Sequence, residues 1–289
     1  MLRQASSHED DATAPISGKT KVFAVVGDPV AQVRAPELMN NLFAASSFDA
    51  VMIPVHVAAR DFGQTMNALK SWKNLHGILV TIPHKFAACE QADTLSEMAM
   101  LAGCANAFRR ESDGTWFAEN FDGQGFVEGL ASNGYDVTNR RVMLVGAGGA
   151  GASIAAALSR APIRSIMISD IDPDRSMVLA KRLQVSGCEV TFGTLGTTQD
   201  NVDLAINATP LGLSPADPLP FDPKNLGPEC LVADVIMKPA ETKLLKAASA
   251  LGLAVHRGAP MLDTQIELYR KFFGAPASAA GDSEGAVVP

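Results

Sequence analysis

Four glycines stand where a strand-like run meets a helix-like run. Gly146, Gly148, Gly149 and Gly151 follow the apolar residues 142–145 and precede the helix formers ASIAAALSR. In a G-x-G-x-x-G pattern the first glycine permits a tight turn, the second lets the backbone approach a pyrophosphate, and the last lets helix and strand pack closely. The helix N-terminus offers free N–H groups and a positive dipole end. This context predicts a dinucleotide site, with an ordinary glycine-rich turn as the alternative.

Acidic residues end the next strand-like run, 165–170, where dinucleotide-binding proteins meet the adenosine ribose. A carboxylate at Asp170 can accept the 2′-hydroxyl hydrogen bond and would repel a 2′-phosphate, and Asp172 adds negative charge. Arg175 could instead pair with a phosphate. We therefore expect NAD as the cofactor, with NADP possible. The alternative for Asp170 is that it only caps the following turn.

Asn207 and Thr209 follow another strand-like run, at the end where ligands collect in open α/β sheets. They are candidate contacts on the nicotinamide side of the cofactor. A plain turn explains the two residues nearly as well.

Hydride transfer from an alcohol also needs a group that takes the hydroxyl proton. Lys85 follows a strand-like run and begins a helix-like one, and Asp122 stands beside a glycine turn, where its carboxylate could orient the amine. Composition and spacing alone would make Lys85 an ordinary surface lysine, since most lysines are solvated.

A series of motifs in order changes that interpretation. They are VGDPV (26–30), VTIPHK (80–85), AGCAN (102–106), NFDG (120–123), the glycine turn, INATP (206–210) and MLDTQ (261–265). By these motifs the chain resembles the shikimate/quinate dehydrogenase family along almost all of its predicted ordered length. The resemblance implies that Lys85 and Asp122 are the catalytic pair. It also implies that Thr81, Asn106 and Gln265 bind the substrate hydroxyls, and that Gly258 and Met261 join the cofactor-binding residues.

The chain departs from the family where those enzymes bind a substrate carboxylate. Two usual serines are Val33 and Ala35, a usual tyrosine is Met237, and a usual asparagine is Leu79. Each lost hydrogen bond to a charged group is worth about 1.5 to 3 kcal/mol, so shikimate itself is a doubtful substrate. Either Arg34, Lys238 or Gln32 supplies the anion site, with Arg34 the best shaped for a bidentate contact, or the substrate is less polar there.

The elements that must position these residues alternate between strand-like and helix-like runs. Strands are predicted at 21–26, 50–57, 76–83, 141–145, 165–170, 203–207 and 231–236, and helices at 36–46, 58–72 and 85–100. This rhythm predicts an α/β protein with parallel sheets covered by helices on both faces. The resemblance implies an N-terminal α/β substrate domain over 18–125, completed by a C-terminal helix at 257–275. A Rossmann-type doubly wound NAD(P)-binding domain would span 126–256, and residues 1–17 and 276–289 are expected to be disordered.

Bulk properties narrow the ligand class. A net charge of −7 without a basic stripe disfavours nucleic acid, and no apolar run approaches the roughly 20 residues that span a bilayer. The N-terminus resembles no targeting signal, so a cytoplasmic location is expected. The four cysteines lack metal-ligand spacing and are expected to be reduced thiols with no metal bound, and His84 and His56 to be ordinary surface or semi-buried residues. A small-molecule substrate and a monomer or homodimer are expected.

The sequence therefore favours an NAD(P)-dependent dehydrogenase acting on a secondary alcohol or ketone of a shikimate- or quinate-like cyclic hydroxy acid. The alternative is a non-catalytic metabolite-binding or regulatory homologue on the same fold, because the usual carboxylate contacts are absent. The presence of both Lys85 and Asp122 argues against that alternative.

Overall fold

The structure is a computed structural model that describes residues 16–184, 187–194 and 201–277. The predicted disordered ends, 1–17 and 276–289, lie almost entirely outside these residues. No helix in this part of the chain is long and apolar enough to cross a membrane.

The first half of the chain builds one mixed sheet. Its strands, in the spatial order β2-β1-β3-β5-β6-β4, are β1 (Lys21–Gly27), β2 (Ala50–His56), β3 (Leu75–Val80), β4 (Thr94–Leu95), β5 (Ala107–Arg110) and β6 (Trp116–Glu119). The helices between them are α1 (Ala35–Ala45), α2 (Phe62–Lys70), α3 (Lys85–Ala88) and α4 (Glu97–Ala102). Strand β1 pairs in parallel with β2 and β3, and its residues 23–27 are all buried, as expected for a strand covered on both faces.

Two predictions for this half are wrong in part. The sheet is not wholly parallel, because β5 pairs antiparallel with both β3 and β6. The β5–β6 hairpin turns at Asp113-Gly114, where Gly114 has φ +90° and Asp113 accepts the Thr115 N–H, a turn signal that the sequence analysis did not use. The predicted helix over 85–100 is divided into α3, β4 and α4, because Ser96 caps a new helix by accepting the Ala99 N–H.

The second half builds the predicted doubly wound, fully parallel sheet. Its strands, in the order β12-β11-β10-β7-β8-β9, are β7 (Arg141–Val145), β8 (Ser165–Asp170), β9 (Glu189–Thr194), β10 (Leu204–Asn207), β11 (Leu231–Asp234) and β12 (Ala254–His256). The helices are α5 (Asp122–Ser132), α6 (Gly149–Arg160), α7 (Pro173–Leu183), α8 (Lys243–Ala250) and α9 (Ala259–Phe272). Strands β9 and β12 were not predicted, since both are largely exposed and β12 has only three residues. The α/β fold class is confirmed.

Helix α9 returns to the first sheet. Phe272 and Phe273 belong to the same apolar cluster as Phe23 of β1, and the rings of Phe23 and Phe273 lie 4.8 Å apart. Gly77 of β3 makes room for this contact, because a Cβ there would lie 2.4 Å from the Phe273 ring. The last helix is therefore packed as part of the first half, although the second sheet precedes it in the chain.

Helix α5 joins the two halves. A Cβ at Gly123 would lie 2.0 Å from the backbone oxygen of Ser153 in α6, and one at Gly125 would lie 2.6 Å from the side chain of Gln265 in α9. The backbone of α5 therefore packs directly on both helices, and side chains at its N-terminus are placed between the sheets.

Candidate active site

Lys85 and Asp122 meet at the centre of the molecule. Lys85 begins α3, directly after the turn that follows β3, and Asp122 begins α5. The Lys85 Nζ lies 2.5 Å from Asp122 Oδ2, with side-chain exposures of 14% and 5%. A nearly buried ammonium and carboxylate are therefore in direct hydrogen-bond contact across 37 residues of chain.

The other carboxylate oxygen of Asp122 accepts two amide N–H groups. Asn106 Nδ2 donates at 2.9 Å and Gln265 Nε2 at 3.0 Å, both to Oδ1. The Asn106 amide is oriented by the Phe121 backbone N–H, which its Oδ1 accepts at 3.0 Å. Two of the three residues expected to bind substrate hydroxyls, Asn106 and Gln265, therefore hydrogen-bond to the candidate catalytic residue Asp122. Gln265 lies on α9.

Thr81, the third, follows β3 and is half-buried. A Cβ at Gly27 would lie 2.4 Å from its methyl group, so the end of β1 can approach only because residue 27 is glycine. Among the described residues, none hydrogen-bonds the Thr81 hydroxyl. That group is therefore available to a ligand.

Arg34 directly precedes α1 and is half-buried. Its neighbours Val33 and Ala35 pack in one apolar cluster with Leu79 of β3 and with Phe121 beside the catalytic candidates. No ion pair of the Arg34 guanidinium occurs within the described ranges. Three of the four substituted positions, Val33, Ala35 and Leu79, thus belong to one apolar region, and Arg34 lies beside it in the chain.

His84 differs from the expectation of an ordinary residue without a partner. It is 2% exposed, its ring stacks on Phe62 at 4.4 Å, and its Nε2 lies 2.8 Å from the Val57 backbone oxygen. Since a carbonyl oxygen only accepts, that ring nitrogen carries a proton. His84 fixes the turn that presents Lys85, whereas His56 is exposed and pairs with Asp28 at 2.7 Å.

The glycine turn has the geometry that a pyrophosphate site needs. Gly146 has φ +106°, a Cβ at Gly151 would lie 1.8 Å from the Gly146 oxygen, and a Cβ at Gly148 would meet nothing within 4 Å. The backbone at Gly146 and Gly151 therefore leaves no room for a side chain. At Gly148, at the N-terminus of α6, it is open to an approaching ligand. A Cβ at Gly149 would lie 3.1 Å from the Lys85 side chain, so the turn touches the catalytic candidate.

Asp170 ends β8 and faces this turn. Its Oδ2 accepts the Ala147 N–H at 2.6 Å, its Oδ1 accepts the Asp172 N–H at 2.9 Å, and it is 7% exposed. Asp172 caps α7 by accepting the Asp174 N–H. The Arg175 Nε lies 3.4 Å from Asp172 Oδ2, so this arginine already has an anionic partner.

The candidate nicotinamide contacts are held by their own turn. The fully buried Asn207 accepts both the backbone N–H and the hydroxyl of Thr209, and it donates to Asp234 at 3.1 Å. Burial raises the pKa of Asp234 above its usual value. Gly258 lets the start of α9 approach β11, since a Cβ there would lie 2.5 Å from the Val235 oxygen, and Met261 is buried against the core of the second half.

The sequence analysis did not identify Tyr269 as a residue of the site, and it described Cys104 only as one of four reduced thiols. The Tyr269 hydroxyl lies 3.2 Å from Asn106 Nδ2 and 3.4 Å from Gln265 Oε1. Its position four residues after Gln265, on the same face of α9, was the available signal. The thiol of Cys104 lies 3.4 Å from the Gly149 oxygen, and burial raises its pKa to about 12.

Known proteins resemble this chain in sequence and in fold. The family profile described as the shikimate dehydrogenase substrate binding domain matches residues 25–108. The shikimate dehydrogenase (NADP+) of Rubrobacter xylanophilus is 33% identical over 264 residues, which are 90% of this chain and 93% of that protein.

Two solved structures have the same fold over most of their length. One is a shikimate dehydrogenase in complex with NADP+, with a TM-score of 0.84, 28% identity, and coverage of 92% of this chain and 93% of that one. The other is the quinate dehydrogenase of Corynebacterium glutamicum in complex with NAD, with a TM-score of 0.79, 28% identity, and coverage of 88% and 94%. The first was described with NADP+ and the second with NAD, so the fold alone leaves the cofactor open.

Proposed function

This chain belongs to the shikimate dehydrogenase family and is an NAD(P)-dependent oxidoreductase of that type, and we propose that it transfers hydride between NAD and a secondary alcohol or ketone of a shikimate- or quinate-like cyclic hydroxy acid. The observation that carries the proposal is the Lys85–Asp122 pair, at 2.5 Å, against the glycine turn. A candidate proton-transfer group thereby lies beside the turn that would bind the cofactor pyrophosphate, and oxidation of an alcohol by a nicotinamide needs both groups in one site.

Lys85 and Asp122 divide the proton chemistry between them. One N–H of the Lys85 ammonium is bound by Asp122, and the amine has further bonding positions for a substrate hydroxyl. In oxidation, the unprotonated amine of Lys85 takes the hydroxyl proton and becomes the ammonium that Asp122 binds, while the carbinol hydrogen leaves as hydride. A bound nicotinamide supplies the hydride acceptor at its C4. In reduction, the pair returns the proton to the new alkoxide oxygen.

The substrate would lie between this pair and the region at the start of α1. The Thr81 hydroxyl and the second N–H of Gln265 face no protein partner among the described residues, so both can bind a ring hydroxyl. The Asn106 amide holds Asp122 at Oδ1. Arg34 would contact a carboxylate at the edge of the apolar region, in the bidentate manner that guanidinium groups favour.

The proposed domains follow from the packing. All strands of the first sheet lie between Lys21 and Glu119, and all strands of the second between Arg141 and His256. Helix α9 packs on the first sheet. This arrangement supports a substrate domain over 18–125 completed by 257–275, and a dinucleotide domain over 126–256.

Activity assays test the proposal directly. NAD reduction is measured with shikimate, quinate and aminoshikimate analogues, for the natural chain, for Lys85→Ala and for Lys73→Ala, an exposed lysine that serves as the matched control. We expect Lys85→Ala to lower kcat by at least about 100-fold, the value of one acid–base group, with NAD affinity little changed. No activity across the panel, with NAD demonstrably bound, would contradict the proposal.

NAD rather than NADP is the second part of the proposal. Asp170 and Asp172 place two carboxylates at the ribose end of the site, and Arg175 is paired with one of them, which leaves a 2′-phosphate facing net negative charge. The ratio of kcat/KM for NAD to that for NADP should exceed one and should fall in Asp170→Ala. Asp136→Asn, an exposed carboxylate near the other end of β7, is the control and should leave the ratio unchanged. A natural chain that prefers NADP would contradict this part alone.

A further inference from the structure

Tyr269 is the one phenol within hydrogen-bond distance of the Asp122 network in the described chain. It lies one helical turn after Gln265 on α9 and is 5% exposed. Its ring packs edge-on against Phe121 at 5.7 Å. The apolar neighbours hold the ring, and the hydroxyl alone projects to the polar side chains.

The hydroxyl of Tyr269 completes the bonding of two amides. It accepts an N–H of Asn106 at 3.2 Å and donates to the carbonyl oxygen of Gln265 at 3.4 Å. Burial first, and then the charge of Asp122, raise the pKa of Tyr269 well above its usual value, so the hydroxyl keeps its proton and can act in both ways.

Both N–H donors of Asn106 are thereby used. An amide has two N–H donors, and here one goes to Asp122 and the other to Tyr269, while the amide oxygen takes the Phe121 N–H. A substrate hydroxyl that accepted an N–H of Asn106 would therefore have to displace the phenol. The Tyr269 hydroxyl thus uses one donor, Asn106, and one acceptor, Gln265. The hydroxyl of an alcohol substrate could use the same donor and acceptor.

We propose that Tyr269 is a specificity-determining residue whose phenolic oxygen occupies the place of one substrate hydroxyl, so that the site accepts a cyclic alcohol with no hydroxyl on the carbon next to the one oxidised. The inference deepens the proposed function and rests on it. The contacts left for the reacting group are Lys85, Thr81 and one N–H of Gln265.

The test compares two probes that differ by one hydroxyl. They are shikimate and its deoxy analogue without the hydroxyl beside the oxidised carbinol, assayed with the natural chain, Tyr269→Phe and Tyr269→Ala. The ratio of kcat/KM for shikimate to that for the analogue should be about one or lower in the natural chain. It should rise at least about ten-fold in Tyr269→Phe, which frees the Asn106 donor and the Gln265 acceptor, and at least as much in Tyr269→Ala.

Phe272→Leu is the matched control, because Phe272 packs on Phe121 in the same cluster but bonds neither amide. It should leave the ratio unchanged even if overall activity falls. Tyr269→Phe keeps the aromatic ring, so the comparison does not depend on whether Tyr269→Ala folds.

Calorimetric binding of the same probes in the presence of NAD separates this inference from the proposed function. If none of the proteins reduces NAD with either probe, the proposed function fails, and the ratio of dissociation constants still decides the role of Tyr269. An unchanged ratio in the Tyr269→Phe variant, in turnover or in binding, overturns the inference. So does binding of neither probe by any of these proteins.

Discussion

Replacing Asp122 by asparagine removes one charge and changes almost no volume, yet no orientation of the new amide satisfies the site. The carboxylate takes three donors, Lys85 on one oxygen and the amides of Asn106 and Gln265 on the other. An asparagine has a single acceptor oxygen, so its own N–H groups must face either the ammonium or the two amides.

The cost can be worked from burial. Removing one partner of a buried ion pair costs about 3 to 5 kcal/mol. Because Lys85 keeps 14% exposure and can turn its amine towards water, we expect Asp122→Asn to lower the free energy of unfolding by about 2 to 3 kcal/mol. The kcat should fall by at least about 100-fold, since the lysine loses the carboxylate that orients it.

Urea unfolding and steady-state kinetics measure the two effects. In a double-mutant cycle with Lys85→Met, the combined loss of stability should be smaller than the sum of the single losses, by about 1 to 3 kcal/mol. Asp203→Asn is the control, because Asp203 forms a partly buried pair with Arg141 at the opposite end of the second sheet and should affect stability alone. A variant Asp122→Asn with kcat within about two-fold of the natural chain would refute the reasoning, as would strictly additive losses.

Three further changes test other parts of the structure. Gly151→Ala places a Cβ 1.8 Å from the Gly146 oxygen and should weaken NAD binding by at least about ten-fold in a fluorescence titration, whereas Gly227→Ala, where a Cβ meets nothing within 4 Å, should bind normally. Arg34→Gln should lower kcat/KM for shikimate by about ten-fold or more and leave that for methyl shikimate unchanged; an equal fall for acid and ester would exclude Arg34 as the carboxylate contact. Burial alone would raise the pKa of Asp203, but hydrogen bonds from Arg141 outweigh it and hold the pKa below 3.8, so the pair stabilises the fold above that pH and the stabilisation is lost as the pH falls. The stability gap between the natural chain and Asp203→Asn should therefore stay nearly constant from about pH 7 to about pH 5 and narrow as the pH falls below 3.8, and a gap that widens there would contradict the assignment.

Features set by nearby residues could be predicted closely. Strands β7 and β8 begin and end at the predicted residues, because each is an apolar run bounded by turn residues, and the glycine turn lies between β7 and α6 as its pattern indicates. The division of 85–100 into three elements could not be obtained from helical spacing, because it depends on the Ser96 cap and on pairing of Thr94 and Leu95 with β6.

Contacts between distant residues needed the family resemblance. Nothing in the local sequence brings Lys85 to Asp122, and the resemblance supplied that pair. It could not supply Tyr269, because this residue lies four positions beyond the last family motif, 261–265. The helical spacing from Gln265 to Tyr269 puts both residues on one face of α9. Tertiary packing decides which hydroxyl accepts the second N–H of Asn106.

The distance between the proposed catalytic pair, Lys85 and Asp122, and the glycine turn depends on close backbone contacts. Asp122 opens α5, and the next residue, Gly123, lies directly on the Ser153 backbone of α6, the helix that begins with the glycine turn. The Lys85 side chain lies against Gly149, the first residue of that helix. The Cys104 thiol lies 3.4 Å from the carbonyl oxygen of Gly149. Contacts between backbones leave less freedom than contacts between long charged side chains, because no rotamer can absorb a shift. The geometry of the proposed hydride-transfer site therefore depends on Gly123 as much as on the charged side chains of Lys85 and Asp122.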